Sequence, residues 1–162
     1  MANELISRIE NEIGLIDRLF SSYDDLLTRC QQPPAPNAVE IAAVAAVLQS
    51  FYLGIENISL MVAKNLDEGV PRGANWHQEL LAQMTMATQR RKPLITPETR
   101  DILADYLGFR HVARHSYSFF LDWDEMAHLI VMLPSAWMQA KSEFHAFALS
   151  LRSGDKPETP SS

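Results

Sequence analysis

The sequence predicts an all-α protein, an antiparallel bundle of four to six helices. Apolar residues recur at intervals of three and four along successive segments, the helical period. The breaks between segments are proline, glycine and Asx clusters of the kind that cap and stop helices. No period-two alternation and no hairpin turn signal occurs along the chain. Segments of this length joined by short breaks pack as neighbouring antiparallel helices.

The first helix is expected from Ala2 to about Gln31, with Leu5, Ile9, Ile13, Ile16, Phe20, Tyr23, Leu27 and Cys30 as its apolar stripe. Successive prolines in Gln31–Asn37 stop it by removing N–H donors and forcing extended backbone. A second helix follows from about Ala38 to Asn65. Its alanine-rich start suits close packing, and Phe51, Ile55, Ile58 and Val62 face the core. After the loop Asp67–Gly73, Asn75 reads as the cap of a third helix that runs to about Arg91, with Gln78 placed for a capping box. Lys92-Pro93 breaks it. Thr96-Pro97-Glu98 then starts a fourth helix, expected to reach about Phe120. Asp122 caps the last helical stretch, which runs to about Leu151 with Pro134 kinking or breaking it near Leu133. Phe144, Phe147 and Leu151 form its packing stripe. Residues 1–152 read as one helical domain and 153–162 as a disordered tail.

Composition narrows the function classes. At 162 residues the chain can bury a real core. No stretch approaches about 18 uninterrupted apolar residues, so no membrane span is expected. The N-terminus has no basic region followed by an apolar one, and the lone Cys30 excludes an internal disulfide framework, which together fit a reducing cytoplasm. The net charge of −6 opposes bulk binding of nucleic acid. It is unevenly spread, however. Residues 72–121 carry seven bases (Arg72, Arg90, Arg91, Lys92, Arg100, Arg110, Arg114) against four acids, net +3 inside an acidic chain. A local basic patch is what a phosphate-binding site needs.

The chemistry concentrates in the fourth helix, Tyr106-Leu107-Gly108-Phe109-Arg110-His111-Val112-Ala113-Arg114-His115-Ser116-Tyr117. On a continuous helix, Arg110, Arg114 and Tyr117 share one strip, and His111, His115 and Ser118 share the next. Phe109, Val112, Ala113 and Phe120 are left for the core. Like charges at i, i+4 cost an isolated helix about 0.2–0.5 kcal/mol, so paired arginines beside paired histidines make sense if an anion visits.

Three readings compete. In the first, the arginines pair with Asp101, Asp105 or acids of a neighbouring helix, and the histidines satisfy interhelix hydrogen bonds. In the second, His111 and His115 hold zinc, against repulsion from two adjacent arginines and with further ligands still to be found. In the third, RNA is cleaved without a metal or other cofactor: a histidine moves protons and an arginine holds the phosphorane charge.

The pattern of Arg110, four residues, His115, one residue and Tyr117 resembles the HepT toxins, a branch of the HEPN superfamily. The lead-in Leu107 to His111 and the follow-on Ser116 to Trp123 are similar too, and the close match spans about Leu103 to Leu133. The resemblance implies a HEPN-like homodimer with the motif helices at its interface, where two Arg110–His115 sets build one ribonuclease site. It implies a partner as well, a small nucleotidyltransferase antitoxin of the MNT kind that transfers AMP to the motif tyrosine, here Tyr117. The Gln31–Asn37 linker and the tail make this chain longer than compact relatives, and its acidity points to a restricted substrate such as transfer RNA.

On this reading the free protein is an endoribonuclease working through a 2′,3′-cyclic phosphate. Arg110 stabilises the phosphorane and His115 acts as general acid or base. His111 and Arg114 position the phosphate. Glu56, the one ionisable group in an apolar stretch of the second helix, is placed to orient a motif arginine. Arg90-Arg91-Lys92 either complements a helix dipole or guides RNA, while Trp76 and Trp123 read as core or dimer anchors. The rival from another class is a noncatalytic docking subunit of a nucleotidyltransferase.

Overall fold

The computed structural model describes residues 2–154. It contains helices α1 (Ala2–Cys30), α2 (Ala38–Leu66), α3 (Trp76–Gln83), α4 (Pro97–Arg114) and α5 (Trp123–Ser153), with a 3₁₀ turn at Ser118–Phe120. No strand occurs among the described residues. The long helices form a ring in which α1 packs on α2 and α5, and α4 packs on α2 and α5; α3 sits against α2 and α4. Partners across each seam run in opposite directions. Asn57 bonds Glu12 while Arg29 faces Glu40, Thr99 meets Glu143 while Tyr106 meets Leu129, and Asp17 meets Lys141 while Glu10 meets Arg152. The bundle is antiparallel.

The expected stripe of α1 is buried at Leu5, Ile9, Ile13, Ile16, Leu27 and Cys30, but Tyr23 stands exposed. Burial raises the Cys30 thiol above its ordinary range, with the Glu40 carboxylate adding to the effect. Asn37 caps α2 through a full capping box with Glu40. The closest approach of α1 and α2 falls at Gly54, where a Cβ would lie 2.6 Å from Ile16. By length and by the mean hydropathy of an 18-residue window (1.8) α2 could pass for a membrane span, although Gln49, Ser50, Glu56 and Asn57 interrupt its apolar run. Its Phe51, Ile55, Ile58 and Val62 nevertheless fill the centre of the bundle.

Several element boundaries differ from the sequence expectation. The third helix stops at Gln83, short of Arg91, and Asn75 makes no side-chain cap, so the capping box with Gln78 does not form. The chain turns there because Met84 C=O accepts from Leu94 and Ile95 N–H, and because the Arg91 guanidinium is drawn inside. Arg91 pairs with Asp67 at 2.6 Å and donates to the carbonyls of Gln83, Met86 and Lys92. The bond to Gln83 C=O sets this cation at the C-terminal end of α3, as the dipole reading expects, but the side chain is buried and does not face solvent.

The fourth helix begins as expected, with Thr96 accepting from Thr99 N–H and Pro97 at its first position. Glu143 of α5 fixes this start by accepting from Thr96 N–H and the Thr99 hydroxyl. The helix ends at Arg114, not Phe120. Serine and aromatic residues, which fill 116–120, are weaker helix formers than the residues before them, and the backbone turns instead through Phe120 N–H to Tyr117 C=O and Leu121 N–H to Ser118 C=O. Val112 and Phe120, expected in the core, are exposed.

Asp122 caps α5 as expected by accepting from Asp124 N–H. Pro134 is absorbed within one continuous helix, so no break occurs at Leu133. Phe144 and Phe147 are buried and Leu151 is packed against the core. Trp76 and Trp123 are partly buried against the same core. Ser153, read as the start of the tail, still belongs to α5; the stretch after Gly154 lies outside the described residues.

Candidate functional site

The site is built on a buried carboxylate. Glu56 lies on α2 between Ile55 and Asn57, with its side chain only 6% exposed. An ionised carboxylate in such a place needs partners. It has one on each side. Oε1 accepts from the Arg110 guanidinium of α4 at 3.1 Å, and Oε2 lies 2.6 Å from Nδ1 of His77 at the start of α3. The Arg110 guanidinium also sits 5.9 Å from the centre of the Tyr52 ring. Burial, aided by the Glu56 carboxylate and opposed by Arg110, raises the Tyr52 phenol above its ordinary range. Tyr52 therefore remains a neutral ring against the cation.

In front of this support lies a pocket of about 240 Å³ lined by Ala74, His77, Leu107, Arg110, His111, Arg114 and His115. Arg110 is 13% exposed, held from behind and open in front. Arg114, one turn on, is exposed. The His111 and His115 rings meet edge to face with centroids 4.9 Å apart. His115 is the residue that caps the end of α4, its N–H donating to Val112 C=O. Two permanent cations and three imidazoles thus surround a space large enough to admit a phosphate, against a single buried carboxylate. That composition suits an oxyanion. Among the described residues no third His, Cys, Asp or Glu joins His111 and His115 in a metal-holding group.

Four of the five residues singled out in the sequence (Arg110, His111, Arg114 and His115) converge on this pocket. Tyr117 does not. With α4 ending at Arg114, the strip that was to align Tyr117 with the arginines does not exist. Tyr117 instead lies in extended backbone and is 72% exposed, stacked parallel to Phe119 at 5.4 Å with Phe120 alongside. Ser118 has likewise left the His111–His115 face. The structural reading of the arginines holds in part, since Arg110 pairs with an acid of a neighbouring helix, whereas Asp101 pairs with Arg100. The basic segment does not form one patch. Arg91 is internal, and Arg90 and Lys92 line a separate surface with Ala2, Leu66 and Ser150.

Sequence reasoning missed His77. It lies 33 positions before Arg110 and belongs to no motif spacing; only the isolation of Glu56 in an apolar helix hinted that partners would gather there.

A family model described as HepT-like protein matches residues 43–151, from within α2 to near the end of α5. No curated protein and no solved structure matches the chain.

Proposed function

Because this chain belongs to the HepT-like protein family, we propose that it is a toxin-like endoribonuclease that cleaves RNA by transesterification. The observation that carries this reading is the convergence of Arg110, His111, Arg114 and His115 on one small pocket, with Arg110 braced by Glu56. The ribose 2′-oxygen attacks phosphorus, the P–O5′ bond breaks, and a 2′,3′-cyclic phosphate remains. Arg110 and Arg114 hold the charge that develops on the nonbridging oxygens. His111 positions the phosphate. His115, at the exposed end of α4, gives its proton to the departing O5′. None of these roles calls for a cofactor.

The active form in this reading is a homodimer in which two motif sets adjoin. Val112 near the end of α4 and Tyr117, Phe119 and Phe120 in the turn after it are exposed and support an interface at this end of the helix, since aromatic side chains of this size are enriched at such surfaces. The partner proposed for control is a nucleotidyltransferase antitoxin of the MNT kind. Tyr117 is well exposed, as an acceptor hydroxyl must be. Transfer of AMP from ATP to Tyr117 with release of pyrophosphate adds a phosphodiester anion two residues from His115. Because Tyr117 lies off the α4 strip, the modified side chain must reach the pocket across the turn, or block the dimer face.

The exposed Tyr117–Phe119–Phe120 stack also favours a second reading, a noncatalytic subunit that docks on a nucleotidyltransferase. RNA end-group analysis separates the two. The purified protein, incubated with total RNA in EDTA, is expected to generate 2′,3′-cyclic phosphate ends, and His115→Ala is expected to generate none. Equal products from both proteins would remove His115 from the chemistry. Absence of cleavage by the wild type, with no growth arrest on expression alone, would leave the docking reading.

A further inference from the structure

We propose that His77 is the general base of the cleavage reaction, its Nε2 taking the proton from the ribose 2′-hydroxyl. The inference rests on the ribonuclease reading above and assigns the proton acceptor that Arg110 and His115 leave open.

Tautomer geometry carries it. The Glu56 carboxylate, ionised against Arg110, can only accept hydrogen bonds. His77 Nδ1, 2.6 Å away, must therefore carry the proton, which leaves the lone pair of the neutral ring on Nε2. Nε2 has no protein partner among the described residues, and the ring lines the pocket that holds the motif. Trp76 stacks against the same ring with centroids 3.7 Å apart, restricting its rotation. A carboxylate behind Nδ1 and an open Nε2 form the arrangement by which an acid orients a catalytic imidazole.

His111 and His115 lack that support. Neither accepts or donates a side-chain hydrogen bond to a carboxylate among the described residues, so nothing selects a basic nitrogen on either ring. The charged and titratable groups around the His77 ring are Glu56 behind it on α2 and Arg110, His111, Arg114 and His115 across the pocket on α4. One carboxylate sets the position of both the base and the arginine that holds the phosphate. The step balances: the 2′-hydroxyl proton passes to His77 Nε2, the O2′–P bond forms, and the P–O5′ bond breaks. O5′ then leaves with a proton from His115.

The test measures cyclic-phosphate formation from a total RNA pool at saturating concentration across pH, for wild type, His77→Ala, His77→Gln and His115→Ala. Glutamine supplies an amide N–H that can donate to Glu56 in place of Nδ1–H, which guards against a simple folding defect; thermal unfolding checks both variants. The expected result is a loss of about 10²–10⁴-fold in both His77 variants, disappearance of the acidic limb of the wild-type pH–rate profile, and partial rescue of His77→Ala by added imidazole. Wild-type rates and both pH limbs in His77→Ala would overturn the inference and leave the ribonuclease reading standing. So would a rate loss that keeps the acidic limb and resists imidazole, since His77 would then only position Arg110. A wild type that cleaves no RNA overturns both.

Discussion

Glu56 and Arg110, 54 positions apart in sequence, meet at 3.1 Å across the α2–α4 seam, and this ion pair fixes the orientation of the arginine at the mouth of the pocket. The pair is mostly out of water, with side chains 6% and 13% exposed. Breaking one side of such a pair leaves a charge stranded.

Glu56→Gln is therefore expected to lower folding stability by about 1.5–3 kcal/mol, the usual worth of hydrogen bonds to charged groups, and to reduce cleavage as well. Glu56→Leu with Arg110→Met is expected to regain most of that stability while remaining inactive, because no buried charge is left unpaired. Denaturant midpoints for the single and double variants check this. A double variant less stable than Glu56→Gln would contradict it.

Gly54 marks where α1 and α2 touch. Gly54→Ala pushes a methyl to within 2.6 Å of the Ile16 side chain, and overpacking of this kind costs about 1–3 kcal/mol. Gly14→Ala is the control, with nothing within 4 Å of its Cβ on the exposed side of α1. It should stabilise by about 0.5–1 kcal/mol, the helix preference for alanine. Thermal unfolding of the two variants should move in opposite directions.

The loop after α3 makes stability depend on acid. Burial pushes the Asp67 carboxyl upward, but hydrogen bonds from Arg91 and Gln83 and the Arg91 charge outweigh it and hold the group below its ordinary range. A carboxylate with a depressed folded-state pKa contributes stability that is complete above the unfolded-state value and is lost as pH falls through the folded one. Wild-type stability should accordingly fall from about pH 4 downward, with a shallower fall in Asp67→Asn. Identical acid limbs in the two proteins would show that this pair contributes nothing.

The Tyr117 proposal is checked by intact mass. Protein co-expressed with a nucleotidyltransferase antitoxin is expected to gain one or more adenylyl groups, and Tyr117→Phe to gain none while still arresting growth. Modification at another residue would separate the switch from the motif.

Much of this arrangement is legible in the chain itself. The 3.6-residue stripes of α1, α2 and α5 and the caps at Thr96 and Asp122 are local signals, and the structure follows them. Arg110, His111, Arg114 and His115 are legible as one group because they lie within two turns of a single helix. What escapes is nonlocal. His77 reaches the pocket through the tertiary position of α3. The end of α3 is set by a buried Arg91–Asp67 pair that no periodicity announces. Tyr117 departs from the helical period because α4 stops at Arg114, where serines and aromatics favour a turn.

If the guanidinium of Arg110 and the imidazole of His115 act as one catalytic unit, a mutant cycle on RNA cleavage will report it. Arg110→Ala and His115→Ala should each lower the rate by about 10²–10⁴-fold. The double variant should fall little further, because groups that act as a unit are far from additive. Multiplicative losses, or wild-type rates in either single variant, would contradict the account.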